Sequence, residues 1–229
     1  MFLDSLWSAL TLLTSMDAEL FFIVGVSLNI SIWSTLAACV LGIPIGFGIG
    51  IGRFRGKQAL ITFFNTMLAL PTVVIGLLVY SLLSRRGVFG PLGWLYTQKA
   101  MIIGQIILIT PIIVAFTIAA VGRVDDRFRR TALTLGATPW QVALVVLREA
   151  RFSIMAAVVA AFGRVISEIG ISMMLGGNAK GFTRTMTTAM ALEYDKGEFV
   201  LSLALGIVLL ALSLVVNTAL GYVQGRTVR

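Results

Sequence analysis

The chain has 229 residues, of which 58% are hydrophobic and only 12% charged, with a mean hydropathy of +0.98. A soluble domain carries about twice that share of charge, so the composition excludes a water-soluble globular protein and indicates one integral membrane domain over 1–229. Histidine is absent and Cys39 is the single cysteine, which removes histidine-ligated metals, haem, histidine proton relays and disulfides, and the net charge of +8 sits in short connections between apolar runs, where it sets membrane topology rather than binding nucleic acid.

Residues 1–18 lack the basic start of a signal peptide. Leu3, Leu6, Trp7, Leu10 and Leu13 recur at helical spacing opposite Asp4, Ser5, Ser8, Thr11 and Ser15, the pattern of an amphipathic helix on the outer membrane surface. Four long uncharged segments follow. They comprise 33 residues between Glu19 and Arg53, 27 between Lys57 and Arg85, 23 between Lys99 and Arg123, and 27 between Glu198 and Arg226. About 20 apolar residues cross a bilayer as a helix, so each can span. A fifth span, 152–175, is apolar apart from Arg164 and Glu168. The expected architecture is all-α, with five transmembrane helices.

The first 52 residues contain no Lys or Arg, and 11 of the 18 basic residues fall in 53–57, 123–151 and the tail. The positive-inside rule places these three regions in the cytoplasm, with the N-terminus outside and the C-terminus inside.

The connection RRTALTLGATPWQVALVVLREAR, 129–151, is too broken to cross a membrane. Asp125 and Asp126 suit a helix start, and Gly136 suits a left-handed stop. Thr138 and Pro139 suit the cap and first position of a second helix, so two short helices with a sharp bend are expected. Thr131 to Leu147 are 17 uncharged residues. Such an apolar surface in water implies cover, either by the chain's own bundle or by a groove in a cytoplasmic partner.

Arg164 and Glu168 lie at i, i+4 within a span. Charges there face an interior, a cavity or each other, which allows a structural ion pair at a dimer seam or a gate element beside an anion path. Pro71 and Pro111 interrupt the second and third spans, as kinks of a moving pathway or as ordinary membrane prolines. In the outer loop, 176–198, Thr183 to Tyr194 can form a short surface helix. Lys180 and Arg184 there could attract an anion or acidic groups on a partner, with Asn178 beside them in the Gly-Gly-Asn stretch as a further candidate, or all three belong to a solvated loop without specific role.

The segment at 129–140 resembles the coupling (EAA) loop of ABC importer permeases. Ala132 and Gly136 match its second alanine and its glycine, and Gly-Ala-Thr-Pro-Trp is similar to its common Gly-Ala-Ser-Pro-Trp form; Arg130 and Thr131 stand in place of Glu and the first Ala. LPTVVIGLLVYSLLSRRGVFGPLG (70–93), VLREARF (146–152) and GRVISEIGISMMLGGNAKGFTRTMTTAMALEYDKGEF (163–199) resemble the tungstate-type permeases of the molybdate/sulfate group. The resemblance implies a type I ABC importer permease fold (MetI-like), with 124–150 as the cytoplasmic coupling loop. Its contacts with the ATPase would be Thr131, Ala132, Leu135, Gly136, Ala137, Pro139 and Trp140. It also implies a homodimer in the cell membrane, two cytoplasmic ABC ATPase subunits and an extracytoplasmic substrate-binding protein. The chain has no Gly-rich phosphate loop ending in Gly-Lys-Ser/Thr, so ATP-Mg would be used by the partner ATPase and no cofactor by this chain. The implied cargo is an oxyanion, tungstate first, with molybdate, sulfate or another small anion as alternatives. An intramembrane enzyme would need a catalytic constellation that the spans do not supply, and a scaffold subunit is the remaining rival.

Overall fold

A computed structural model describes Thr11 and residues 18–225 and, among these, every regular element is helical. The surface helix expected over 1–18 falls almost wholly outside the described residues. The first long apolar segment forms α1, Ala18–Ile51, 34 residues with Glu19 in its first turn. At about 1.5 Å per residue it is about 51 Å long, more than the roughly 30 Å of a hydrocarbon core. Its C-terminal carbonyls are met by Lys57, whose Nζ donates to Gly50 O at 2.7 Å and Gly52 O at 3.1 Å. A cation at that end also suits the helix dipole.

The second segment is not one helix. It divides into α2, Lys57–Met67, and α3, Thr72–Leu83, bent by 94°. Pro71 stands at the break in an extended conformation, capping α3 rather than kinking a continuous helix. A single-turn 3-10 helix, Gly90–Leu92, leads to α4, Gln98–Gly122. Here the expectation fails, because Pro111 lies inside α4 without interrupting it. A proline removes one hydrogen bond, and close packing on α1 holds the helix through that point. A β-carbon placed on Gly42 would meet Ile113 at 2.9 Å and the carbonyl of Thr110 at 3.3 Å.

Gly42, Gly46 and Gly50 share one stripe of α1, against Ile113, Thr117 and Val121 of α4. Small residues every fourth position let membrane helices approach closely. This α1–α4 pair forms the centre of the bundle, with buried Ser34 donating to buried Gln105 at 3.0 Å.

The 123–151 connection forms α5, Asp126–Thr134, and then α6, Pro139–Ile166. The second helix is therefore not short. At 28 residues it carries the chain from the coupling region into the fifth span without a break. That span breaks later, at Ser167–Ile169, before α7, Gly170–Gly176, bent by 56° from α6. The chain continues through α8, Met186–Lys196, to α9, Phe199–Gly225. Among the described residues three helices are long and apolar enough to cross a membrane, or up to five where each bent pair is counted as one span. The protein is a multi-pass membrane protein.

Candidate coupling surface and gate

The end that carries α5 is built from local capping chemistry. The Asp125 carboxylate accepts from Arg127 N–H at 2.9 Å and starts α5. At the other end Gly136 takes φ +80°. Gly136 N–H donates to Leu133 O and Ala137 N–H to Ala132 O, both at 3.0 Å, the paired bonds of a Schellman stop. Thr138 and Gln141 then form a reciprocal capping box, with Thr138 N–H donating to Gln141 Oε1 at 2.8 Å, and Pro139 opens α6. The sequence pointed to each cap except Gln141, whose position three residues after a threonine is the readable signal.

No residue of α5 is buried, and it packs on α6. Leu135 is 82% exposed and Trp140 71%. Asp125, Phe128, Thr131, Ala132, Leu135 and Val145 border a concavity of about 550 Å³. The surface thus divides: Val142 and Val146 are buried, Val146 in one cluster with Ala120 and Val121 of the chain's own bundle, while Leu133, Leu135 and Trp140 stay uncovered.

Toward the other end the two broken spans meet. A β-carbon on Gly170 would lie 2.9 Å from Thr72 Oγ1 and 3.3 Å from Glu168 Oε1, and one on Gly76 would lie 2.7 Å from Met174 Sδ. Thus α3 and α7 touch where Pro71 begins one half-helix and Glu168 precedes the other. Arg164 and Glu168 do not share a helical face, because α6 ends at Ile166 and Glu168 lies in the break. They still pair, with Arg164 Nη1 to Glu168 Oε2 at 2.6 Å. The Glu168 side chain is 3% exposed and the Arg164 side chain 42%. Glu168 Oε1 accepts from Ile171 N–H at 3.3 Å, and its backbone carbonyl accepts from Thr187 Oγ1 at 2.9 Å.

The 176–198 loop corrects two expectations. Its helix begins at Met186, not Thr183, and only its last residues, Tyr194 to Lys196, are on the surface. Met186, Thr187, Thr188, Ala189 and Glu193 are buried. The reason is polar satisfaction: Ser27 of α1 accepts from Met186 N–H at 2.7 Å, and Thr185 and Thr188 cap each other. Lys180 and Arg184 are not free cations either. Glu19 pairs with Lys180 at 2.7 Å and Arg184 at 3.6 Å. Asn178 adopts φ +50° and donates to Thr188 O at 3.3 Å, so it braces the loop.

Three long apolar helices and two broken spans, with an exposed helix–glycine–helix knob at one end, form a membrane bundle, and its relatives make it a transport subunit rather than an enzyme. The chain belongs to the family described as binding-protein-dependent transport system inner membrane component, whose model matches residues 42–229. It is 42% identical over 204 residues to a probable anion ABC transporter permease of Haloferax volcanii, covering 87% of this chain and 88% of that protein. It is 36% identical to a tungstate uptake system permease of Peptoclostridium acidaminophilum, over 95% of both chains. Among solved structures, a bacterial alginate ABC importer superposes with a TM-score of 0.76 at 18% identity, over 96% of this chain and 83% of that one. The MetNI methionine ABC transporter in an inward-facing state gives 0.72 at 16% identity, over 91% and 97%. These two establish the shared fold.

Proposed function

We propose that the chain is the membrane-spanning subunit of an ATP-driven importer for tungstate, working by alternating access. The observation that carries the cargo is the 36% identity over 95% of the chain to a tungstate uptake permease. Permeases named for molybdenum and sulfate transport match at 25% and 27% identity. A broader anion range is the second reading, favoured by the 42% identity to a permease named only for an anion.

In this proposal two copies of the chain form the pathway, with the N-terminus outside and the basic connections in the cytoplasm. Two ABC ATPase subunits, which use ATP-Mg, receive the knob at Thr131, Ala132, Leu135, Gly136, Ala137, Pro139 and Trp140. A substrate-binding protein delivers the anion from the other side. Because α6 is continuous from Pro139 to Ile166, movement of the knob is carried as a rigid rod to the break at Glu168. Pro71, Arg164 and Glu168 form the gate. Both Glu168 oxygens are engaged and shielded, while the more exposed Arg164 keeps further N–H donors for a passing oxyanion. The carboxylate therefore orients the arginine without facing the anion.

The test is cellular tungsten and molybdenum by mass spectrometry at nanomolar supply, with and without the gene. Selective loss of tungsten is expected. Equal loss of both metals would support the broader anion range, and no loss of either would overturn the cargo.

A further inference from the structure

Ser84–Gly93 follows α3 as a turn that ends in the 3-10 helix. It is a fixed structure. Gly87 N–H donates to Ser84 O at 2.7 Å, Phe89 N–H to Leu82 O at 2.9 Å, and Gly90 N–H to Gly87 O at 3.0 Å. A β-carbon on Gly87 would lie 2.2 Å from Ser81 O, and one on Gly90 2.5 Å from Ser84 O. Only glycine fits at either place. Yet this rigid turn presents Val88 at 79% exposure, with Phe89 and Leu92 also exposed, next to exposed Arg85 and Arg86.

The charge pattern singles out those two arginines. Six basic residues lie in the connections assigned to the outer face: Arg85, Arg86, Lys99, Lys180, Arg184 and Lys196. Lys180 and Arg184 pair with Glu19, Lys196 pairs with Glu193 at 2.9 Å, and Lys99 lies 5.8 Å from the centre of the Trp94 ring. Among the described residues, no ion pair joins Arg85 or Arg86 to an acid. None is near in sequence, because residues 20–124 contain no Asp or Glu.

The turn is also joined to the gate. It continues α3, and the segment after it is tied to α7 by Tyr96 N–H donating to Leu175 O at 2.9 Å. The Tyr80 and Tyr96 hydroxyls lie 3.4 Å apart. With Gly76 against Met174 and Gly170 against Thr72, the two outer half-helices and the turn form one packed unit. Its far end is the break that holds Pro71 and Glu168.

We propose that Arg85, Arg86, Val88 and Phe89 are the landing surface for an acidic patch on the substrate-binding protein, and that docking there moves α3 and α7 together. This rests on the transport reading and on the outer placement of the turn. A binding-protein-dependent permease needs a receptor surface on its outer side, and free cations around a rigid apolar centre supply both charge complementarity and a desolvated core. The alternative occupant, anionic lipid headgroups, is separated by experiment.

The measurement is receptor affinity for the whole permease–ATPase complex in phosphatidylcholine nanodiscs, using the tungstate-loaded binding protein. R85E/R86E should weaken binding at least tenfold, still co-purify with the ATPase, and lose most of the salt dependence of association. V88S/F89S should weaken binding without changing that salt dependence. Lysine substitutions in the receptor's acidic patch should restore affinity for R85E/R86E. Unchanged affinity in both variants, while the wild type binds, would overturn the landing surface alone. Weakening that appears only when anionic lipid is added would assign the turn to the membrane and overturn it too. A wild-type complex that fails to bind the receptor would overturn the transport reading together with this one.

Discussion

At Gly136 the backbone stands at φ +80° with open space around the missing side chain. The difficulty for any other residue there is conformational rather than steric, on the order of 1 kcal/mol. Gly136→Arg adds a charge to the apolar knob, between Leu135 and Trp140. It should abolish co-purification with the ATPase while the permease still accumulates in the membrane, and a complex that survives intact would show that the knob is not the coupling surface. Arg164 and Glu168 call for a different test. Removing only the arginine leaves an enclosed carboxylate without its cation, a loss of about 3 kcal/mol. R164A should therefore lower the melting temperature of the purified complex by more than the double variant R164A/E168Q does, as read by thermal unfolding. Equal losses would mean that the pair contributes nothing through its charge.

At the scale of elements, the three-glycine stripe of α1 distinguishes contact from mere smallness. A β-carbon on Gly46 would lie 2.7 Å from the backbone oxygen of Val114, which cannot rotate away, whereas nothing lies within 4 Å of one on Gly25. Gly46→Leu should separate α1 from α4 and reduce folded protein several-fold by fluorescence-detected size exclusion, while Gly25→Leu should leave it unchanged. The same argument applies where the two broken spans meet. Gly170→Val crowds Thr72 where α3 and α7 meet, so tungsten uptake should fall while association with the ATPase persists. Element boundaries were legible where the signal is local. Asp125, Gly136, Thr138 and Pro139 mark caps that depend on neighbouring residues alone. Pro71 and Pro111 look alike in sequence, yet one stands at a 94° break and the other inside a continuous helix packed on the glycine stripe of α1.

For the molecule as a whole, the proposed orientation follows from the placement of charge. In a Cys39→Ala background, a cysteine at Arg55 should react with membrane-impermeant maleimide only in inverted vesicles, and one at Val88 only in intact cells. The reverse pattern would invert the assignment of every loop. By itself the sequence determined the membrane class, the long apolar segments, the caps of the helix–glycine–helix knob and its family resemblance, because hydropathy, charge bias and capping depend on residue type and short-range spacing. Only the tertiary structure decided that α6 runs unbroken from the knob to Glu168 and that the two broken spans touch. It also decided that the threonines of the 176–198 loop are buried and that Glu19 pairs with both Lys180 and Arg184. Those outcomes depend on which distant residue meets a given polar group. Ser27 and Met186 are 159 positions apart, and no local pattern records their meeting.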